Sequence, residues 1–230
     1  MKKKYEVKVM VKIGKHKLEN VDIFNEEKIL KLVGNDKVDI YYTDMPWGDA
    51  NIKYWHTINK KMNNIEYSTP SYTFEDFMRK VFKYASMFSR KWVVIECGKR
   101  FTETVKRIAG EFGLYHIATV ETMYKSGGKL HPMDVVVFRV DKHIELDLSP
   151  AYHTHGYKTV KAVFDQLIKH GGEMKSGMDL CCGLGYTARA CIENGMRFIG
   201  NELNKKRLKK TIELIKKKEG IKDGEVISID

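Results

Sequence analysis

The spacing of apolar and polar residues divides the chain into short elements of regular structure. Residues 38–43 form a β-branched and aromatic run that predicts a buried strand, and residues 92–97 predict a second one. Apolar residues recur at helical spacing over residues 74–88, and Thr73 with Asp76 predicts an N-terminal cap for that helix. The chain therefore mixes buried strands with amphipathic helices.

The same spacing predicts the rest of the fold. The other predicted strands are residues 5–13, 114–123, 133–140, 178–181, 197–200 and 225–229. The other predicted helices are residues 25–33 with Asn25 as the cap, 102–112, 157–170, 187–194 and 205–218. This alternation predicts an α/β fold with a doubly wound, mostly parallel sheet. The glycine turn at residues 126–129 predicts an antiparallel hairpin at the sheet edge.

One segment has no clean period. Residues 49–72 mix lysines with aromatic residues, a combination that suits phosphates and unstacked bases. A surface loop with a few aromatic residues tucked into the core explains the segment equally well. The candidate nucleic-acid contacts are Lys53, Tyr54, Trp55, Lys60 and Lys61.

Charge adds a second indication of the same kind. The net charge of +11 and the pI of about 9.3 favour a polyanionic partner such as nucleic acid. A lysine-rich surface that is simply solvated is an equal alternative on charge alone. Residues 157–170 and 205–218 both carry lysines around a buried apolar stripe, so we interpret the lysines of 205–218 as solvated.

Other classes of protein are disfavoured by the sequence. No apolar run is long enough to cross a membrane, and the charged alternation after the N-terminal lysines does not resemble a signal peptide. The four cysteines lack zinc or disulfide spacing, which predicts buried thiols in a reducing compartment, the cytoplasm. His153 and His155 are better explained as exposed loop residues than as metal ligands, so we expect no metal site.

Residues 178–202 carry the strongest candidate chemistry. A short apolar run is followed by Gly183 and Gly185, a predicted helix, a second strand and Glu202. Glycines at such a turn let the backbone approach a ligand closely. An acid after the second strand of a βαβ unit suits the hydroxyls of a ribose. An ordinary strand–turn–helix without a ligand is the weaker alternative.

A second motif stands at the end of the predicted strand 38–43. It is Asp44-Met45-Pro46-Trp47, here called the tetrapeptide. The carboxyl ends of strands are where open α/β sheets place their chemistry. Alone, the tetrapeptide is better explained as a turn with a packed tryptophan.

Together the two motifs resemble those of the amino methyltransferases that use S-adenosylmethionine. The cofactor motif of that family has the form D-P-F-x-G-S-G-T-T followed by F-I-G-x-E, and this chain has D-L-C-C-G-L-G-Y-T and F-I-G-N-E. The catalytic signature of the family is Asp/Asn/Ser-Pro-Pro-Tyr/Phe/Trp, in which Met45 here replaces the first proline. The catalytic motif precedes the cofactor motif, which resembles the circularly permuted class of many bacterial and phage DNA methyltransferases and their mRNA-modifying relatives.

The resemblance implies a Rossmann-like methyltransferase fold and a role for each motif. A single domain over residues 1–230 would have a strand and helix at 1–33, a catalytic half at 38–140 and a cofactor-binding half at 156–230. The implied S-adenosylmethionine contacts are Asp179, Cys181, Gly183, Gly185, Glu202 and Lys158. Asp44 and the Met45 carbonyl would accept the hydrogens of a target amine, Pro46 would fix the turn and Trp47 would stack on the base.

The implied reaction is methylation of an exocyclic amine of a nucleobase, with adenine in DNA as the leading expectation. An RNA adenosine methyltransferase is one alternative, and a catalytically silent nucleic-acid-binding subunit of a heteromeric enzyme is another. The space between the motifs is largely used by the sheet itself, so a second copy of the chain or a partner subunit is a candidate source of target recognition.

Overall fold

The structure is a computed structural model, and it describes residues 10–63, 71–222 and 226–229. The strands are Met10–Ile13 (β1), His16–Glu19 (β2), Val38–Asp44 (β3), Ser89–Cys97 (β4), Tyr115–Ser126 (β5), Lys129–Arg139 (β6), Ser176–Asp179 (β7), Arg197–Asn201 (β8) and Val226–Ile229 (β9). The α-helices are Glu26–Val33 (α1), Asp49–Asn63 (α2), Phe74–Phe88 (α3), Thr102–Glu111 (α4), Tyr157–Gly171 (α5), Tyr186–Glu193 (α6) and Lys205–Glu219 (α7).

The described strands form one sheet in the order β5-β6-β4-β3-β7-β8-β2-β1-β9. The strands from β4 to β2 in this order run parallel to one another. Antiparallel strands complete both edges, with the β5–β6 hairpin on one side and β1 with β9 on the other. The predicted α/β class, with a mostly parallel sheet and an antiparallel edge hairpin, is confirmed.

Two apolar layers cover the sheet, one on each face. Tyr41 and Phe138 pack in the layer with α1, α3 and α4. Tyr42 and Trp92 pack in the layer with α5, α6 and α7. Neighbouring residues serve opposite layers because side chains alternate across a strand. Because β3 is covered on both sides, all of its residues are buried, including the polar Asp39 and Thr43, until the exposed Asp44 at its carboxyl end.

The predicted helix caps at Asn25 and Thr73 are confirmed. The Asn25 side chain accepts the backbone N–H of Lys28 at 3.2 Å. Thr73 and Asp76 form a reciprocal capping box, in which each side chain accepts the backbone N–H of the other residue. Each cap satisfies N–H groups that the first helical turn leaves without partners.

Residues 49–63 form the helix α2, so the interpretation as a loop was wrong for this part of the segment. Among residues 49–61, whose side chains the structure describes, only Ile52 and Asn59 are buried. One of these two is polar, which explains why no hydrophobic period is visible in the sequence. Residues 64–70 lie outside the described part of the chain.

Other boundaries differ by a few residues. The strand predicted at 178–181 is β7, which starts earlier at Ser176 and ends at Asp179. The prediction at 5–13 is described only from Met10 onward, as β1. The sequence pattern missed β2, a strand of four residues that returns from the tight turn after β1 and pairs parallel to β8.

The β5–β6 hairpin is longer than predicted and extends beyond the sheet. The pairing of β4 with β6 ends at Cys97 and Asp134, whereas β5 and β6 remain paired to Ser126 and Lys129 at the glycine turn. The outer part of the hairpin therefore projects past the carboxyl end of β4, on the side where Asp44 emerges from β3.

Candidate active site

A cavity of about 610 Å³ opens at the carboxyl ends of β3 and β7, which are neighbours in the sheet. The loop after β7, residues 180–185, is here called the glycine loop. The tetrapeptide lines one part of the cavity, and Leu180 and Cys181 of the glycine loop line another. The wall is completed by α2, the start of α7, the hairpin tip and the segment after β2. This volume is in the range of small-molecule and cofactor sites, about 300–1,000 Å³.

Asp179 fixes the start of the glycine loop. One carboxyl oxygen accepts the backbone N–H of Cys181 at 3.0 Å, and the other accepts the hydroxyl of Thr187 at 2.8 Å. Burial raises the pKa of Asp179 to about 7 in spite of these donors. Asp179 is not among the residues that line the cavity. Its contacts position the loop and the first turn of α6, while Cys181 forms part of the wall.

Gly183 and Gly185 both have positive φ, at 51° and 81°. A Cβ on Gly185 would lie 2.9 Å from the side chain of Thr211, so both the backbone angle and the packing require glycine there. At Gly183 a Cβ would lie 3.7 Å from the nearest atom, so the angle alone favours glycine. The two glycines shape the loop from outside the cavity lining.

Glu202 joins the glycine loop to the start of α7. Its two carboxyl oxygens accept the backbone N–H of Gly183 at 2.8 Å and of Asn204 at 2.7 Å. Burial raises the pKa of Glu202, and these two N–H groups oppose the shift. Glu202 also lines the cavity, with 8% of its surface exposed. The geometry therefore brings Glu202 and the loop to one place, as the motif predicts.

Asn201 is a second polar group of this wall, and the sequence analysis did not select it. Its amide accepts the N–H of Val21 and donates to the carbonyls of Val21 and Leu180. Asn201 thereby ties the segment after β2 to the glycine loop. Both connected elements line the cavity, so the amide maintains the width of the site.

Asp44 and Glu96 form a pair of carboxyl groups across neighbouring strands. They are register partners on β3 and β4. Burial raises the pKa of Asp44, although its carboxyl is exposed to the cavity; Arg207 opposes the shift. Burial, and then the charge of Asp44, raise the pKa of Glu96, whose carboxyl accepts the hydroxyl of Tyr42 at 2.6 Å. A carboxyl in an otherwise apolar strand was the available signal for Glu96, and it was missed.

Trp47 is held in place by contacts around its indole. The indole N–H donates to the carbonyl of Glu96 at 3.1 Å. The Tyr124 ring of the hairpin meets it edge-on, with ring centres 4.9 Å apart. A Cβ on Gly98 would lie 3.3 Å from the indole, so the close approach depends on that glycine. Trp47 is half-buried and lines the cavity, as do the buried Met45 and the half-buried Pro46.

Arg207 brings a cation to the cavity wall. Its guanidinium lies 4.1 Å from the centre of the Trp55 ring, in a cation–π contact between α7 and α2. Its charge lowers the pKa values of Asp44 and Glu202, against the larger effect of burial. The sequence analysis missed Arg207 because it interpreted the basic residues of this helix as solvated.

The structure separates the other candidate residues into two groups. Tyr54 and Trp55 on α2 line the cavity, whereas the exposed Lys53, Lys60 and Lys61 on the same helix lie outside the lining. Lys158 is exposed on α5 and also lies outside it. Lys158 shares this position outside the lining with Asp179, Gly183 and Gly185, and its implied contact with the cofactor stays a prediction.

The histidines and cysteines have ordinary surroundings. His153 Nε2 lies 2.8 Å from a carboxyl oxygen of Glu121. Among the described residues, no three histidine, cysteine, aspartate or glutamate side chains are grouped so that they could hold a metal ion. All four cysteines are free; Cys181 is partly exposed and the others are buried. No described helix is long and apolar enough to span a membrane.

Comparison by sequence matches no protein-family model and no curated protein. Comparison by structure matches solved methyltransferases. M1.HpyAVI is similar with a TM-score of 0.58 and 16% identity, over 86% of this chain and 97% of that one. TTHA0409 from Thermus thermophilus is similar with a TM-score of 0.60 and 13% identity, over 88% of this chain and 95% of that one.

PvuII DNA methyltransferase, a cytosine-N4-specific enzyme, is similar with a TM-score of 0.59 and 11% identity, over 87% of this chain and 89% of that one. M1.HpyAVI and TTHA0409 have each been solved in complex with S-adenosylmethionine. At these identities the likeness concerns the fold. The chain therefore has the Rossmann-like α/β fold of the DNA methyltransferases that it resembles.

Proposed function

We propose that this protein is an S-adenosylmethionine-dependent methyltransferase that modifies an exocyclic amine of a nucleobase in DNA. One observation carries the proposal. The tetrapeptide and the cofactor motif are far apart in the chain, yet residues of both line one cavity at the ends of two adjacent parallel strands. Open α/β sheets bind ligands at this edge. A chance similarity of two short motifs would not bring them to the same cavity.

The residues of the glycine-loop wall fit the cofactor. Glu202 has a carboxyl at the cavity that already accepts two N–H groups and retains lone pairs for ribose hydroxyls. Leu180 and Ile23 add apolar surface for an adenine ring. The bound cofactor supplies an activated methyl group on a sulfonium. Asp179 from behind the wall, and Asn201 from within it, fix the backbone that faces the ligand.

The tetrapeptide wall fits the target amine. An exocyclic amine is a weak nucleophile because its lone pair is delocalised into the ring. Asp44 and the carbonyl of Met45 would accept its two hydrogens, which favours the pyramidal nitrogen of the transition state. On accepting the methyl group the amine nitrogen would give up a proton, which Asp44 would receive. Trp47 offers an aromatic face for a base taken out of its stack.

The proposal assigns the two predicted halves of a single domain to the two walls. Residues 38–140 provide the tetrapeptide wall and residues 156–230 provide the glycine loop and Glu202. Adenine is the preferred target because the family pattern associates aspartate at the first position with adenine. The similarity to a cytosine-N4-specific enzyme makes cytosine the competing target.

Transfer of a labelled methyl group tests the proposal. The purified chain is incubated with methyl-labelled S-adenosylmethionine and either duplex DNA or RNA, and the modified nucleoside is identified after digestion. We expect N6-methyladenine in DNA. If the product is N4-methylcytosine, the target base is cytosine and not adenine. If only the RNA is labelled, the substrate is RNA and not DNA.

The silent-subunit alternative predicts a different result. Such a chain binds S-adenosylmethionine or nucleic acid but transfers no methyl group, alone or with a second copy of itself. That outcome would contradict the proposed catalytic role of the tetrapeptide. Calorimetric titration of S-adenosylmethionine in the same preparation shows whether the cofactor site is intact.

A further inference from the structure

Helices α2 and α7 meet beside the mouth of the cavity. The side-chain amide of Asn204, at the start of α7, donates to Asn59 of α2 at 2.8 Å, and both residues are buried. One turn further, Arg207 stacks on Trp55. Trp55 and Arg207 both line the cavity. The outer surfaces of the two helices therefore adjoin the site where we place the target base.

This joined surface carries an unusual concentration of exposed lysines, here called the α2–α7 basic face. Its members are Lys53, Lys60 and Lys61 of α2 and Lys205, Lys206, Lys209 and Lys210 of α7. Residues 50–61 and 203–212 contain no aspartate or glutamate. Within the described part of the chain, none of these seven ammonium groups lies within 4.0 Å of a carboxylate oxygen.

Several other cations of the protein are paired. Lys80 and Lys83 of α3 both contact Glu26 at 2.7 Å. Lys161 contacts Asp165 four residues later on α5. Lysines without an ion pair also occur elsewhere among the described residues, such as Lys31 and Lys142, whereas the α2–α7 basic face gathers seven of them beside one cavity.

The lysines on α7 are also placed against local helix energetics. Lys205 with Lys209, and Lys206 with Lys210, are like charges four residues apart, a spacing that destabilises a helix. Lys205 and Lys206 also lie in the first turn of α7, where the helix dipole favours negative charge. A solvated face would be more stable with carboxylates at these positions. A ligand rich in negative charge would reverse this penalty.

We propose that the α2–α7 basic face binds the sugar–phosphate backbone of the DNA substrate while the target base enters the adjoining cavity. The inference rests on the proposed function and adds the surface that holds the substrate. Tyr54, 58% exposed on α2, lines the cavity and offers an aromatic platform on the same helix as three of these lysines. The lysines of α7, interpreted from the sequence as solvated, become phosphate contacts.

Salt dependence of DNA binding tests the proposal. A fluorescein-labelled 30-base-pair duplex is titrated with protein at several NaCl concentrations, and binding is followed by anisotropy. The slope of log K against log [NaCl] is negative, and each lost phosphate contact makes it less steep by about 0.9. For K205A/K206A/K209A/K210A we expect a slope that is less steep by about 2 to 4 units. We also expect an affinity for DNA at least tenfold weaker at low salt.

A matched variant removes the same charge elsewhere. K31A/K37A/K142A/K169A takes four exposed lysines from other surfaces, and it should retain most of the parental slope. Equal slopes for the two variants, or a parental slope in the α7 variant, would overturn the proposal. Circular dichroism and calorimetric S-adenosylmethionine binding establish that both variants are folded.

The salt titration also tests the nature of the substrate and, together with the methyl-transfer assay, separates this proposal from the proposed function. If the lysine-dependent slope is present for an RNA of the same sequence and absent for the DNA duplex, the assignment of DNA is overturned. Binding is measured without methyl transfer, so a protein that binds DNA through this face but fails to methylate it contradicts the proposed function and leaves the surface assignment standing.

Discussion

The two walls of the cavity are built in different ways. At the glycine loop, the carboxyls of Asp179 and Glu202 accept three backbone N–H groups and one hydroxyl, so their hydrogen bonds are directed into the protein. At the tetrapeptide, the Asp44 carboxyl opens into the cavity beside the buried carboxyl of Glu96. The indole of Trp47 lies next to them, with its N–H donated to the Glu96 carbonyl.

This difference indicates different tasks. The glycine-loop wall is a shape made from backbone and fixed before any ligand arrives. The tetrapeptide wall is a set of side chains whose charge and orientation remain available to a substrate. Mutations should therefore change binding and stability at the first wall, and chemistry at the second.

Replacement of Asp44 should have the largest effect. Asp44→Ala removes an acceptor that acts in the transition state, so methyl transfer should fall by about two to three orders of magnitude. S-adenosylmethionine affinity should remain nearly unchanged, because the binding wall is intact. Single-turnover transfer of labelled methyl and calorimetry measure the two quantities. Asp165→Ala, which removes an exposed carboxylate on α5, is the control, and full activity in Asp44→Ala would refute the assignment.

The pH dependence of stability tests the protonation of Asp179, the buried carboxyl that fixes the glycine-loop wall. The folded pKa of Asp179 is about 7, raised from an ordinary value near 4, so the folded state holds a proton that the unfolded state releases. Unfolding free energy should therefore decrease as pH rises from 5 to 8. Asp179→Asn has no such proton, so its stability relative to wild type should increase by about 2 to 3 kcal/mol over that range.

Urea unfolding at pH 5 and pH 8 measures this difference. Asp165→Asn is the control, because it makes the same substitution at an exposed carboxylate that pairs with Lys161. It shows the change in stability that the substitution causes where the carboxylate is not buried. A relative stability of Asp179→Asn that stays constant with pH would mean that the Asp179 carboxyl is already ionised in the folded protein at pH 5.

Replacement of Glu202 should weaken the cofactor wall itself. Glu202→Ala removes the proposed ribose acceptor and releases the N–H groups of Gly183 and Asn204, so S-adenosylmethionine binding should weaken by about 1.5 to 3 kcal/mol. Glu202→Gln keeps one acceptor and should lose less. Calorimetric titration that finds unchanged affinity in folded Glu202→Ala would exclude this glutamate from the cofactor site.

Replacement of Trp47 should have the smallest effect of the four. Trp47→Ala removes a stacking surface, which should weaken engagement of the base by about 1 to 3 kcal/mol. Trp47→Phe keeps an aromatic ring but loses the hydrogen bond to the Glu96 carbonyl, so it separates stacking from positioning. Affinity for a duplex with an abasic site opposite the target measures the first effect. Equal affinity for all three proteins would assign Trp47 to packing alone.

The charge pattern repeats the same contrast on the surface. Lys80 and Lys83 meet a carboxylate, and the lysine charges there are neutralised within the protein. Lys205 and Lys206 meet none among the described residues. The sequence already shows part of this contrast, because α3 carries Glu75 and Asp76 whereas residues 203–212 contain no carboxylate. The positions of the partners in the structure complete the distinction between a structural lysine and one available to a ligand.

Much of the fold and of the candidate site was predictable from local sequence. β3 reads as a buried strand because both of its faces are covered, and α3 reads as a helix because one face is apolar and Thr73 caps it. Gly185 and Glu202 were predictable because a tight turn and a carboxyl after a strand have specific backbone requirements. The helix α2 was not predictable, since its few buried positions include Asn59, which is held by a residue distant in the chain.

By itself, the sequence determined the alternation of strands and helices and the two motifs, because these depend on residues close together in the chain. Only the tertiary structure decided which residues share the cavity. Asp44 meets Glu96 through strand pairing, and Arg207 reaches Trp55 through helix packing. Lys158 lies outside the cavity lining. These relations depend on the order of strands in the sheet, and that order is set by long-range packing that no local pattern records.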